Sequence, residues 1–372
     1  MKESLLMIPG PCAVSEEVLK AMSQPLVPHY GEDWVREYND NRDALKPLFG
    51  TKEDIFLTVG SGHAGIETAV NALAGSGEKI LVVENGFFGE RIAIISQCYG
   101  IETVTLKEEW GTPVDPNKVE DVLKKDDKIK AVAVVHGETS TGVLNPVQEI
   151  GEITRRFGLP LFVDAVCSIG GTEFHMDEWG VDIGVTASQK GLSAPPGLAI
   201  IAVSEKMREF LAARKYSAVG WYLNLNIWRE FEENQKEFQP YGITMAVNLV
   251  RALKVSLDQI HVEGLAQRFG RHADISKRLR VGLAVMGLES FGHGAPLPLV
   301  TAVKCPPGVK SAEIVSYMRK EYQIYISQGL GAYRDNTFRV GHMGLAADTK
   351  AVDSFLTAMQ TFLKQHKIKP ET

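Results

Sequence analysis

Between about residues 55 and 205 short apolar, β-branched runs alternate with stretches of helical spacing: DIFLTV, KILVVE, ETVTL, KAVAVVH, PLFVDAV, DIGVTA and LAIIAV. Strands joined by helical crossovers run parallel, because a tight hairpin returns the chain antiparallel and only a longer connection brings it back to the same end. A parallel sheet is covered on both faces by those crossovers, so its strands read as continuous apolar runs rather than alternating ones. The chain is thereby confined to the α/β class, with a mostly parallel sheet between helices. In such sheets ligands sit beyond the carboxyl ends of the strands. Ser61, Thr139, Asp164 and Lys190 all fall at or just past one of those ends.

Beyond residue 205 the pattern changes. A long helical stretch, ITMAVNLVRALKVSLDQIHV, leads to a region from about 265 with helices expected around 265–285 and 311–321 and strand-like runs LVTAVKC, IYISQG and FRVGHM. This reads as a smaller α+β C-terminal domain. The expected division is an N-terminal segment at the active site (1–20), a large domain (21–260) and a small domain (261–372). Two cores suit 372 residues, since one hydrophobic core stops growing at roughly 250 to 300.

The net charge of -6 provides no basic footprint for nucleic acid, and no apolar run suits a membrane span. A small-molecule substrate is the expected partner. Cys12, Cys98, Cys167 and Cys305 are scattered without metal-type or disulfide-framework spacing, which suits free thiols in a reducing compartment. The N-terminal run MKESLLMIPGPC is too short for a signal peptide, and the C-terminus carries no address signal. The expected location is the cytoplasm.

Gly60-Ser61-Gly62-His63-Ala64-Gly65 fits G-x-G-x-x-G between an expected strand and helix, with Glu84 about 20 residues on. By motif this is a dinucleotide fingerprint. Physically it says less: glycines admit close backbone approach, and a helix N-terminus offers free N–H groups to any phosphate. Lys190, in Ser188-Gln189-Lys190, and Asp164, closing an apolar strand where an unpaired carboxylate is costly, narrow the choice. A pyridoxal ring is an electron sink when its nitrogen is protonated, and an aspartate holds that proton in place. A lysine binds its aldehyde and, once released, moves a proton at the substrate carbon. Pyridoxal 5'-phosphate is the expected cofactor.

VVHGETSTGVLNP, FVDAVCSIGGTEFHMDEWGVDI, TASQKGLSAPPG and FRVGHMG resemble the class V aminotransferases of fold type I, in the branch of alanine–glyoxylate and serine–glyoxylate (serine–pyruvate) enzymes. The resemblance runs from PGPCAVSEEVLKAM to the last helix. It implies a fold type I large domain, a homodimer with shared sites, and ping-pong transfer of an amino group from alanine or serine to glyoxylate or pyruvate. It also implies that Ser61, Gly62, His63 and Gln189 cradle the phosphate and that Lys190 carries the aldehyde. Asp164 would face the ring nitrogen, Val166 would cover one ring face and Thr139 would reach the ring hydroxyl. Phe88 stands where the family usually stacks a tryptophan.

Tyr241 and Thr244 match positions that reach the phosphate from the neighbouring subunit, although Gly242 and Ile243 stand where relatives often have two histidines. Arg339 matches the arginine that grips the substrate carboxylate, and Gly10 would bring backbone to the same group. His29 and Tyr30 occupy a loop where relatives place specificity groups. The ureidoglycine branch typically has asparagine at the position of Tyr241, and no second arginine is evident for a dicarboxylate. Two alternatives stay open: another pyridoxal reaction on the same fold, such as a cysteine desulfurase or lyase, and a non-enzymatic hydrogenase-associated subunit.

Overall fold

The computed structural model describes residues 4–213 and 219–368. Its main sheet has seven strands: β1 (Asp54–Val59), β2 (Lys79–Glu84), β3 (Glu102–Lys107), β4 (Ile129–Val135), β5 (Leu161–Asp164), β6 (Ile183–Ala187) and β7 (Leu198–Val203). Their order is β1-β7-β6-β5-β4-β2-β3. All neighbouring pairs are parallel except that β7 runs antiparallel to both β1 and β6. Every residue of β7 is buried; since successive side chains point to opposite faces, both faces of the sheet are covered.

The covering helices include α1 (Glu32–Phe49), α2 (Gly62–Leu73), α3 (Phe87–Cys98) and α4 (Val247–Glu263). One apolar cluster runs from Trp34 through the sheet to Ile260. The expected long helix begins at Val247 rather than Ile243. Gln239 accounts for the delay: its side-chain amide donates to the carbonyls of Tyr241 (3.0 Å) and Ile243 (3.4 Å), holding that segment in a turn.

A second cluster joins α5 (Leu265–Val285), α6 (Ser311–Tyr322) and α7 (Thr349–Gln365) to a three-stranded antiparallel sheet of β8 (Val300–Lys304), β9 (Ser327–Gln328) and β10 (Thr337–Gly341). The run IYISQG is split. Ile324–Tyr325 pairs in parallel with Leu5–Leu6, and only Ser327–Gln328 joins β10. The N-terminal segment is thus tied to the second cluster, where Met7 is buried, before Cys12 N donates to the Gln189 carbonyl at 3.0 Å.

Candidate active site

Parallel pairing places the ends of β4, β5 and β6 side by side, with Val135 opposite Asp164 and Asp164 opposite Val185. β1 has the same direction, so the Ser61 turn opens on the same edge. There a cavity of about 210 Å³ is lined by Ser61, Gly62, His63, Phe88, Thr139, Asp164, Val166, Gln189 and Lys190. Nine residues singled out from sequence therefore meet in one place.

Ser61 caps α2 in an extended conformation and its hydroxyl makes no capping bond, leaving the first N–H groups of the helix to another acceptor. A Cβ on Gly62 would stand 3.0 Å from Val166 Cγ2, so a larger residue would crowd the cavity wall. His63 is held below its ordinary pKa by burial and by the nearby Arg91 and Lys190 charges. The neutral ring can still donate one hydrogen bond. The buried Gln189 Oε1 has no partner.

Asp164 is 3% exposed and accepts one hydrogen bond from Val166 N at 2.9 Å. Burial raises its carboxyl to about 7; the Val166 bond opposes the shift, Glu138 adds to it and Lys190 opposes it. Lys190 Nζ donates to the Pro9 carbonyl. Gly10, at φ 108°, lies against it: a Cβ there would collide with Lys190 Cδ, Cε and Nζ.

Arg339 stands on β10, beside rather than in the cavity wall. It is buried and donates Nε to the Gln328 carbonyl at 2.9 Å. Burial lowers its pKa to about 10, while Glu138 and Cys167 hold it up. Cys167 lines the cavity, so the guanidinium charge reaches the site. Met7–Gly10 bridges the two places, with Gly341 N donating to the Met7 carbonyl at 2.7 Å.

Four expected residues lie elsewhere. Tyr241 is fully buried within its own chain; its hydroxyl donates to the His29 carbonyl at 2.5 Å and accepts from Trp34 Nε1. A phosphate contact across the subunit boundary would need this hydroxyl to leave both partners. His29 stacks on Tyr241 at 6.3 Å, and Tyr30 packs on Phe238 at 5.3 Å. Neither lines the cavity of its own chain. Thr244 is exposed. The departure at Gly242 has a steric cause: a Cβ there would stand 2.7 Å from Phe231 and 2.8 Å from Trp221.

Sequence reasoning missed Glu138. Its carboxylate accepts from Phe88 N (2.9 Å), Gly89 N (3.3 Å), Ser140 N (3.0 Å) and Ser140 Oγ (2.6 Å), tying the first turn of α3 to the cavity. The signal was present: as Asp164 closes the apolar run LFV, Glu138 follows the apolar run AVAVV by three residues. Ile66, Val135, Gly137 and Cys167 complete the wall and carried no signal beyond apolarity or small size.

This fold, with a lysine and a buried carboxylate meeting at a helix N-terminus on the carboxyl edge of its sheet, defines an α/β enzyme of the kind that handles phosphorylated cofactors. The family model for class V aminotransferases matches residues 13–354, and the chain belongs to that family. An uncharacterized aminotransferase of Methanocaldococcus jannaschii is 40% identical over 98% of this chain and 93% of its own length. The alanine–glyoxylate aminotransferase of Drosophila melanogaster is 31% identical over 99% and 94%. The solved ureidoglycine–glyoxylate aminotransferase of Bacillus subtilis superposes with a TM-score of 0.93 at 31% identity, covering 100% of this chain and 96% of that one. The protein is therefore an aminotransferase, of a family that depends on pyridoxal phosphate.

The residues fit that cofactor. The cavity offers an open helix N-terminus, a buried carboxyl and a lysine amine together.

Proposed function

We propose that Lys190 carries pyridoxal 5'-phosphate and that the enzyme transfers an amino group from alanine or serine to glyoxylate or pyruvate. The observation that carries this is the meeting of Lys190, Asp164 and the open α2 terminus in one cavity. Ser61, Gly62, His63 and Gln189 would hold the phosphate, Asp164 the ring nitrogen, Phe88 and Val166 the ring faces, and Thr139 the ring hydroxyl. When bound, the cofactor withdraws electrons from the substrate α-carbon. Lys190 moves the proton at that carbon, and the Pro9 carbonyl orients its amine. Arg339 and the Gly10 backbone orient the carboxylate, which fixes the bond to be broken.

A small donor is the reading because Arg339 alone matches a carboxylate grip and no second arginine is evident in the sequence for a side-chain carboxylate. A desulfurase would need a reactive thiolate, whereas Cys167 is buried and pushed up to about 11, and burial raises Cys12 as well. Single half-reactions of the purified enzyme with alanine, serine, aspartate and cysteine test the reading. Pyruvate or hydroxypyruvate should form first and aspartate should lag. Sulfide from cysteine with no oxo acid from alanine would overturn it, and a protein that binds no cofactor would favour the hydrogenase-subunit alternative.

The proposed assembly is a homodimer in which exposed Thr244 and the His29–Tyr30 loop face the neighbouring cavity. Sedimentation as a single chain of 40.8 kDa would rule it out. The proposed location is the cytoplasm, supported by four free cysteines; no helix among the described residues is long and apolar enough to cross a membrane. A secreted pool in a fractionated source cell would contradict it.

Arg339→Lys keeps charge but loses the planar two-pronged contact. The expected cost is about 1.5 to 3 kcal/mol, or roughly 10- to 150-fold in kcat/KM, for donor and acceptor alike. Cofactor absorption should be unchanged. Wild-type efficiency, or a loss confined to cofactor binding, would remove the carboxylate role.

A further inference from the structure

Outside the cavity, three charged side chains form one continuous network: Glu263 at the end of α4, and Arg268 and Arg271 in the first two turns of α5. Arg268 is 5% exposed. It donates Nε to the Gly170 carbonyl at 2.7 Å, and Nη2 to the Gly191 carbonyl at 2.8 Å and to Ser193 Oγ at 3.0 Å. Gly191 and Ser193 are the first and third residues after Lys190. One planar guanidinium therefore pins the loop that carries the amine, against the turn that follows Asp164.

That loop needs an external hold. Ser193 sits at φ 55°, a conformation that a residue with a Cβ adopts at a cost. A Cβ on Gly191 would collide with the Ile169 carbonyl, so the loop lies directly on neighbouring backbone.

The network continues to the other side of the site. Glu263 balances the Arg268 charge at 2.8 Å and also receives both prongs of Arg271, at 2.6 Å and 3.0 Å. Arg271 Nη1 then donates to the carbonyls of Gly344 (3.1 Å) and Ala347 (2.8 Å). Those carbonyls belong to the turn just after β10, the strand of Arg339. An ion pair between two helices would satisfy the charges alone; here the remaining bonds go to Gly170, to the residues just after Lys190 and to the turn that follows Arg339.

We propose that Arg268, Glu263 and Arg271 are positioning residues that hold the Lys190 loop and the Arg339 strand in register, so that amine and carboxylate grip address the same substrate carbon. The inference rests on the roles of Lys190 and Arg339 given above. It separates the three side chains by readout. Arg268 acts on the amine, Arg271 acts on the carboxylate grip, and Glu263 joins them.

Holoenzyme variants Arg268→Lys, Arg271→Lys and Glu263→Gln test it through kcat, KM and the pH titration of visible cofactor absorption. Arg268→Lys should lower kcat roughly tenfold, the size of one lost charge-assisted hydrogen bond, and move the absorption midpoint by about half a unit or more. Arg271→Lys should raise KM for both carboxylate substrates by roughly tenfold with an unchanged midpoint. Glu263→Gln should show both effects. Should Arg268→Lys not fold, Ser193→Ala removes one bond to the same guanidinium and should shift the midpoint in the same direction. Variants that only melt earlier, with wild-type kcat, KM and midpoint, would make the network structural and overturn the proposal. A wild-type midpoint that persists in Lys190→Ala would instead overturn the assignment of Lys190.

Discussion

Lys190→Ala is expected to remove the visible absorption of covalently held cofactor and to lower kcat/KM by about 10⁴-fold or more. Proton transfer by a positioned side chain contributes about 10²- to 10⁴-fold, and the same lysine is also assigned the covalent link. The fold should survive. The amine makes one hydrogen bond, to the Pro9 carbonyl, and losing such a bond costs only about 0.5 to 1.5 kcal/mol. The loop on either side is held by backbone: Ser193 N donates to the Lys190 carbonyl at 2.9 Å, and Cys12 N to the Gln189 carbonyl at 3.0 Å. Melting temperature and sedimentation should therefore stay near wild type while turnover disappears. Retained turnover at near the wild-type rate would rule out Lys190 as the cofactor lysine and leave the cavity without an amine.

The fate of individual residues shows what a sequence can and cannot specify. The inner strands were legible because burial on both faces leaves each one a short, mostly apolar run, whereas the edge strand β3 has no buried residue and alternates polar with apolar side chains. Asp164 and the Ser61 turn were legible because chemistry at a strand end leaves a local mark, a carboxylate or a glycine cluster where an apolar run stops. Glu138 left the same mark and was passed over, since no expected cofactor atom had been matched to it.

Tyr241 is a different case, because the direction of its side chain depends on Trp34 and His29, some 200 residues earlier in the chain. Arg268 was equally hidden. A lone arginine on a helix reads as a solvated face, and only the packing of α5 against the Lys190 loop reveals that it is buried. Local patterns record which residues are at an edge; long-range packing decides which way they point.

Asp164→Asn should have opposite effects on the cofactor-free and the loaded protein. In the cofactor-free chain, burial raises the carboxyl to about 7 from 3.8. The folded chain therefore holds a proton that the unfolded chain has lost across the interval between those values. The stabilisation from this raised group is fully present below about pH 4 and is lost as pH rises through about 7. Asparagine cannot ionise, so at pH 8 the cofactor-free variant should be more stable than wild type by about 1 to 3 kcal/mol, and at pH 4 nearly equal to it. Loading reverses the sign: a buried cationic ring nitrogen facing asparagine loses its counter-charge, at a cost of about 2 to 5 kcal/mol. Cofactor affinity and turnover should together fall by roughly 30- to 5,000-fold. Melting curves of both cofactor-free proteins at pH 4 and pH 8, with turnover of the loaded forms, measure the two halves separately. A stability difference that does not change with pH would mean that Asp164 is ionised before the cofactor arrives. A wild-type rate in the loaded variant would place the ring nitrogen against some other group, and the buried carboxyl at the end of β5 would then need a different partner.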